Sequence, residues 1–308
     1  MFILKEQVKN FINYCNCNKK LSPKTTKAYS IDLEQFIVFS GNDFNKDYLS
    51  RYIELLHQKY KPKTVKRKIA SLKAFSNHLL YEEIIEQSPF AKTKTSFKEP
   101  FILPKTLPLA TIQKILSCAY RQLDSTKLTL YRKEEIIRDI AVLELLFATG
   151  ARVSEICNLK SSDIDLTSRY VKIYGKGSRE RIVQIENADV LLALDTYYNS
   201  FADRITDKGY FFINRLRNRL SEQSVRFMIN KYVKKAKHRG HITPHMFRHS
   251  FATLLLEEEV DIRYIQRLLG HSSITTTEIY THVTSVKQKE ILATRHPRNR
   301  ISIEANEG

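Results

Sequence analysis

Glycine and proline are sparse, eight of each in 308 residues, which excludes a low-complexity chain and predicts a folded protein. Cysteine is scarcer still, at Cys15, Cys17, Cys118 and Cys157. The one close pair, Cys15-Asn16-Cys17, has no second pair at ligand spacing, which argues against both a disulfide framework and a paired-cysteine metal site. Long apolar runs are missing too. The amino end turns polar at Lys5-Glu6 after Phe2-Ile3-Leu4, and no later stretch approaches the ~20 residues that span a bilayer, so a cytoplasmic protein with no membrane partner is expected. The last shortage is of negative charge: 33 Asp and Glu face 51 Lys and Arg, a formal net charge of +18. Such an excess attracts polyanions over a Debye length or more, and nucleic acid is the first partner to consider. An anionic membrane surface and simple solubility are the alternatives that charge alone leaves open.

A hydrophobic content of 42% is enough for two ordinary cores. Over residues 1–90, Phe11 and Tyr14, then Tyr29, Leu33, Phe36 and Ile37, then Tyr52, Leu55 and Leu56, then Ile69, Leu72, Phe75 and Leu79 recur at three- and four-residue spacings, which predicts a small all-helical domain. Helix starts are expected at Ser22-Pro23 and at Pro62. Lys61, Lys63, Lys66, Arg67, Lys68 and Lys73 crowd one of these helices. A solvated face is the plain reading of such a cluster; beside a DNA-cleaving centre it becomes a phosphate- or groove-contacting helix. Residues 91–108 form a basic linker, where Pro100, Pro104 and Pro108 disfavour helix and extend the backbone. Residues 109–297 form a second domain and 298–308 a polar tail. In the second domain Thr111–Leu123 and Ile136–Ala148 read as helices, the latter ended by Thr149-Gly150. Residues 170–174 and 181–185 alternate as strands around the turn Gly175-Lys176-Gly177-Ser178, and the remainder is helical. The fold class is therefore mainly α, with a small antiparallel sheet.

Several segments of the second domain carry cations suited to one phosphate. In Thr243-Pro244-His245-Met246-Phe247-Arg248, Thr243 can cap, Pro244 fits the first turn, and His245 and Arg248 share a helix face near its positive end. His245 and His249 are also four apart, with His238 and His241 upstream, a spacing that can bind zinc. The companion glutamate of the protease motif is missing and Arg248 would repel a divalent ion, so no metal is expected. Arg152 follows the helix-ending Gly150, with Glu155 in reach to orient a guanidinium whose fork can grip two phosphate oxygens. Lys176 at the hairpin tip and His271 after Gly270 would each be unremarked alone, as a solvated turn lysine and a helix-end contact. Tyr280 follows nine residues after His271 and is the candidate nucleophile, and a tyrosine among phosphate ligands implies covalent attack on DNA.

Taken together, Arg152 in TGARVSE, Lys176 in GKGSRER, His245 and Arg248 in TPHMFRHSFAT, His271 in LGHSS and Tyr280 in TTTEIYTHV resemble the active-site motifs of the tyrosine recombinases, or phage integrase family. Within that family the chain is most similar to the bacterial Xer recombinases and short integrases, from the first helix to near residue 297. The stretch from Arg121 to Glu135 looks longer than the matching loop of typical Xer proteins, and no arm-binding domain is seen before Lys5, which disfavours the larger phage-type integrases.

The resemblance implies a SAM-like core-binding domain and a catalytic domain closing as a C-shaped clamp on DNA. It implies strand cleavage without metal or cofactor, through a 3′-phosphotyrosine and a free 5′-hydroxyl. It also implies that Lys176 is the general acid, that His245 helps move the phenolic proton, and that four protomers, alike or of two kinds, act on two duplexes. They would exchange a C-terminal helix, for which residues 283–293 are long enough; packing on the chain's own domain is the alternative. An Xer-like role in chromosome dimer resolution, with a DNA-translocating motor as a possible partner, stands beside integrase or transposase work for a mobile element. A type IB topoisomerase would share the catalytic set without pairing protomers, and a catalytically silent DNA-binding protein would lack one of the motif residues, none of which is missing.

Overall fold

The computed structural model describes residues 4–91, 93, 95–97, 105–125, 127–175, 180–270 and 284–302, the side chains at 206–208 and 284–288 aside. The chain divides into two units, Met1–Ile102 and Leu103–Gly308. No described helix is long and apolar enough to cross a membrane.

The first unit is built from α1 (Leu4–Cys17), α2 (Pro23–Ser40), α3 (Lys46–Lys59) and α4 (Pro62–Tyr81). Helix α2 starts where serine and proline predict: Ser22 Oγ accepts from Thr25 N at 3.2 Å, and Pro23 takes the first turn, where its missing N–H costs nothing. Phe11, Leu33, Phe36, Leu72 and Phe75 meet in the core, with Phe11 edge-on to Phe75 at 5.5 Å between ring centres. Past α4, Phe90 packs against this core, Phe97 stands edge-on to His57, and Lys73 Nζ donates to Thr95 Oγ1 at 2.6 Å. The stretch that the prolines suggest as linker thus begins packed on the first unit.

The basic face of α4 needs one correction. Lys61, Lys63, Lys66, Arg67 and Lys73 are exposed, but Lys68 is 3% exposed. It lies three residues after Val65 and four before Leu72, on the apolar stripe, and its ammonium donates to Asp32 Oδ1 at 2.9 Å and to Gln35. Ser71 Oγ also donates to Asp32, at 2.8 Å, and Arg67 reaches the same carboxylate from the surface. A buried charge persists only when paired, and here the pair ties α2 to α4.

The second unit begins with α5 (Leu109–Leu123) and α6 (Leu130–Thr149), followed by the short α7 (Val153–Asn158). A three-stranded antiparallel sheet comes next, β1 (Ile164–Asp165), β2 (Tyr170–Tyr174) and β3 (Glu180–Gln184) in that order. Helices α8 (Ala188–Lys208), α9 (Glu222–Lys235), α10 (Pro244–Glu257), α11 (Ile262–Leu269) and α12 (Thr284–Arg295) complete it. From Ile136 onward α6 is buried nearly all round, as the central helix of a bundle must be. The pairs Val171–Val183 and Ile173–Arg181 put Val171, Ile173 and Val183 on the inner face of the sheet. The strand β1 has two residues, too short to carry an alternation that sequence could reveal.

Three expectations change. The stretch from Arg121 to Glu135 is mostly helix: α5 runs to Leu123 and α6 starts at Leu130, its Thr129 cap accepting from Arg132 N at 3.3 Å. Thr243 precedes α10 with extended backbone but makes no side-chain cap, so Pro244 alone sets that start. The polar tail drawn from residue 298 begins too early, because Arg298 is 1% and Ile301 5% exposed. After α12 a 3-10 turn, Pro297–Arg300, packs into the unit, with Arg298 in a two-pronged bond to Glu144 of α6 at 2.8 and 3.0 Å.

Candidate active site

Helix α6 stops at Gly150, which takes φ +58° and whose N–H bonds Leu146 O at 3.1 Å. Only glycine fits there, since a Cβ would fall 2.6 Å from Phe251 Cδ1 and 2.8 Å from Leu269 Cδ2. Two residues on, Arg152 precedes α7. Its Nη1 donates to Glu155 Oε1 at 2.7 Å while its backbone N–H donates to Oε2 at 2.9 Å, so one carboxylate fixes both ends of the residue. The arginine side chain stays 34% exposed and Glu155 4%, which leaves a guanidinium edge open to a ligand.

Arg181 was not singled out by sequence. It donates through Nη2 to Glu155 Oε2 at 2.7 Å and is 9% exposed. A signal was present: on β3, Arg181 shares the inward face with Val183, and an arginine on a core face needs a carboxylate. Burial works to raise the Glu155 carboxyl, and Arg181 and Arg152 outweigh it, so Glu155 is held below the usual carboxylate range. Arg181 also closes on Gly270, the residue before His271, where an added Cβ would meet its Nη1 at 3.0 Å.

Arg248, on α10, is 4% exposed. Its Nη1 donates to Gly150 O at 2.8 Å and its Nη2 to Leu269 O at 2.6 Å, so the guanidinium sits where α6 and α11 both end and draws on their negative poles. Burial first, and then the charge of Arg152, bring its pKa down to about 10, still protonated at neutral pH. Among the described residues no carboxylate pairs with Arg248. Two of its five N–H groups hold carbonyls, which leaves donors for an anion. Among the described residues Arg152, Arg181 and Arg248 thus gather near one glutamate, which leaves positive charge in excess there.

His245, one turn before Arg248, is exposed. Partial shielding of its ring, then the charges of Arg248, Arg152 and Arg226, lower its pKa, so it is neutral at pH 7 and able to accept a proton. Arg226, on α9, is itself held by Glu222 at 3.0 Å. The structure therefore gathers Arg152, Glu155, Arg248 and His245. Lys176, His271 and Tyr280 lie outside the described residues. Among the described residues no three His, Cys, Asp or Glu gather as metal ligands.

Comparisons with known proteins identify the family. The phage integrase family model matches residues 119–286, and the phage integrase N-terminal SAM-like domain matches residues 8–83. A tyrosine recombinase of Agathobacter rectalis is 52% identical over 299 residues, covering 96% of this chain and 97% of the relative. The tyrosine recombinase XerC of Bacillus pumilus is 34% identical over 303 residues, covering 94% and 95%. In structure, the XerH site-specific recombinase bound to a palindromic difH substrate matches with a TM-score of 0.69 over 93% of this chain and 84% of that one, at 20% identity, a likeness of fold. With both family models matched in order and relatives covering nearly its whole length, the chain belongs to the phage integrase family, as an Xer-like site-specific tyrosine recombinase.

Proposed function

We propose that Tyr280 cuts one DNA strand with the help of Arg152, Lys176, His245, Arg248 and His271. The observation that carries this is Arg248: a buried guanidinium fixed by two helix-end carbonyls, with no carboxylate partner among the described residues, next to a neutral His245. A phenol has a pKa near 10, so only about one in a thousand is ionised at pH 7 and attack needs assistance. His245 takes the phenolic proton as the oxygen bonds to phosphorus. Arg152, Arg248 and His271 donate to the non-bridging oxygens, where charge builds. The bond from phosphorus to the 5′-oxygen breaks, and Lys176 supplies the proton that oxygen needs. The result, a 3′-phosphotyrosine and a 5′-hydroxyl, keeps the ester so that another strand's hydroxyl can reverse the step. No metal or cofactor has a role in it.

The test uses nicked DNA carrying the recombination site, without divalent metal. Full-length protein is expected to form a DNA adduct on Tyr280, read by denaturing gel and peptide mass, and Tyr280→Phe none. An adduct on another residue, or one that survives in the variant, would dismiss Tyr280.

The exposed face of α4, Lys61, Lys63, Lys66, Arg67 and Lys73, supports binding to phosphates. Each cation taken off the DNA backbone lowers the slope of log affinity against log salt by about 0.9. Lys61→Ala with Lys63→Ala is therefore expected to flatten that slope by roughly 2, without changing stability. Lys68→Met should do the reverse, costing ~2–3 kcal/mol of stability and leaving the slope alone. A flattened slope in Lys68→Met would put that lysine back on the DNA.

For the assembly, four protomers on two duplexes, alike or of two kinds, is the reading carried by the resemblance; the exchange of α12 that it also implies would bring a neighbour's residues 296–301 to the place on α6 that the chain's own occupy here. The Xer-named relatives support site-specific recombination; a cytoplasmic role in chromosome dimer resolution, serving chromosome partition and cell division with a motor protein as a partner, is what the resemblance implies. DNA trapped on Tyr280 in cells separates this from mobile-element integration: one chromosomal locus supports the first, the ends of an element the second.

A further inference from the structure

The last carbonyls of a helix have no donor within it. At the end of α6, Leu146 O is met by Gly150 N–H, Gly150 O by Arg248, and Ala148 O by His296 Nε2 at 2.7 Å. His296 belongs to the segment that follows α12 and is 4% exposed. Its Nδ1 accepts from Arg298 N at 2.9 Å, so the proton sits on Nε2 and the ring donates to Ala148 as a neutral imidazole. Burial holds its pKa down at about 4, which keeps it in that form at working pH. The ring also lies against Phe147 and Phe251, at 5.9 and 5.6 Å between centres. Phe251 stands one turn after Arg248 on α10, and it is the ring that closes on Gly150.

We infer that His296 is a positioning residue for the phosphate-binding arginines: by holding Ala148 O and backing Phe251 it fixes the Gly150 carbonyl that aims Arg248, two residues before Arg152. This rests on the reading of those arginines as phosphate ligands. Holding the C-terminal segment in place does not fall to His296, because Arg298 grips Glu144 through two bonds. Substituting the histidine therefore disturbs the aim of Arg248 more than the docking of the segment.

Two replacements separate the ring's two bonds. Asparagine offers an acceptor to Arg298 N where Nδ1 stood but no donor to Ala148, whereas glutamine reaches Ala148 O with an N–H. In single-turnover cleavage of nicked DNA by the full chain at saturating DNA, His296→Asn is expected to lose roughly tenfold or more in rate, as misplaced reacting groups do. DNA affinity should stay within about twofold, and His296→Gln should recover most of the rate. In an Arg248→Lys background, His296→Asn should cost little more, because both changes act on one guanidinium site. Cleavage by His296→Asn within twofold of the unaltered chain overturns the inference, and so does a loss that multiplies with that of Arg248→Lys. Unfolding of both His296 variants at 25 °C would make the residue a core element alone and also overturn it. Full cleavage by Arg248→Ala would instead remove the phosphate reading beneath it.

Discussion

Arg248→Ala is expected to slow strand cleavage by about 10²–10³-fold, the loss of ~3–4 kcal/mol seen when one preorganised oxyanion donor is removed. The figure belongs to the transition state, because the guanidinium is fixed before substrate arrives: two carbonyls at the ends of α6 and α11 hold it, and no reorganisation is left to the reaction. The same bonds give this substitution a second consequence. Alanine leaves Gly150 O and Leu269 O without their donor in a buried place, at roughly 1–3 kcal/mol each. Rate and thermal stability should therefore fall together. Arg152→Ala is the contrast, since that side chain is 34% exposed and Glu155 keeps Arg181 as a partner. It should lose a similar rate with little change in melting temperature. Arg248→Lys keeps a charge but cannot span both carbonyls, and lands between wild type and alanine. Single-turnover cleavage at saturating DNA, with calorimetry on the same preparations, checks all three. Cleavage by Arg248→Ala within threefold of the unaltered chain would take the residue out of the mechanism.

Arg152, His245 and Arg248 were legible because local pattern alone places them. Gly150 ends a helix and so puts Arg152 at the next turn; Pro244 starts one and so sets His245 and Arg248 on a single face. The helices of the first unit declared themselves through spacing for the same reason. What sequence did not disclose depends on partners far along the chain. Lys68 reads as one more basic residue until Asp32, 36 positions earlier, claims it. Its place between Val65 and Leu72 on the apolar stripe was a clue, outweighed by the crowd of lysines around it. Arg181 was read only as the first residue of a strand, and the alternation that turns it inward does not say that Glu155, 26 positions earlier, is what it meets. Glu144 and Arg298 stand 154 residues apart, and a polar ending after a proline resembles a tail until the carboxylate that captures it is known.

That capture predicts the largest change in stability. Arg298 is 1% exposed, with Nε and Nη2 on the two oxygens of Glu144 and Nη1 on Ile301 O at 3.0 Å. Tyr120 donates to Glu144 Oε1 at 2.9 Å, so three donors reach the two carboxylate oxygens. Such a pair adds little when compared with a well-packed apolar replacement of both partners, because desolvation of two charges offsets their attraction. Removing one partner is different: without Arg298 the Glu144 carboxylate stays buried with no cation, and without Glu144 the buried guanidinium keeps only the exposed Asp189, 3.2 Å from its Nη1. Arg298→Met and Glu144→Leu are each expected to lose ~3–5 kcal/mol, a fall of roughly 10 °C in melting temperature for a unit of this size. The double replacement should recover much of it, and the shortfall from additivity measures the pair itself. Losses below about 1 kcal/mol in both single variants would mean that water reaches the site and replaces the missing partner. Arg298→Met should also loosen His296, whose Nδ1 accepts from the Arg298 backbone, and so slow cleavage below the melting transition while Tyr120→Phe does not. Residues 296–301 then act as a brace for the turn that carries Gly150 and Arg152.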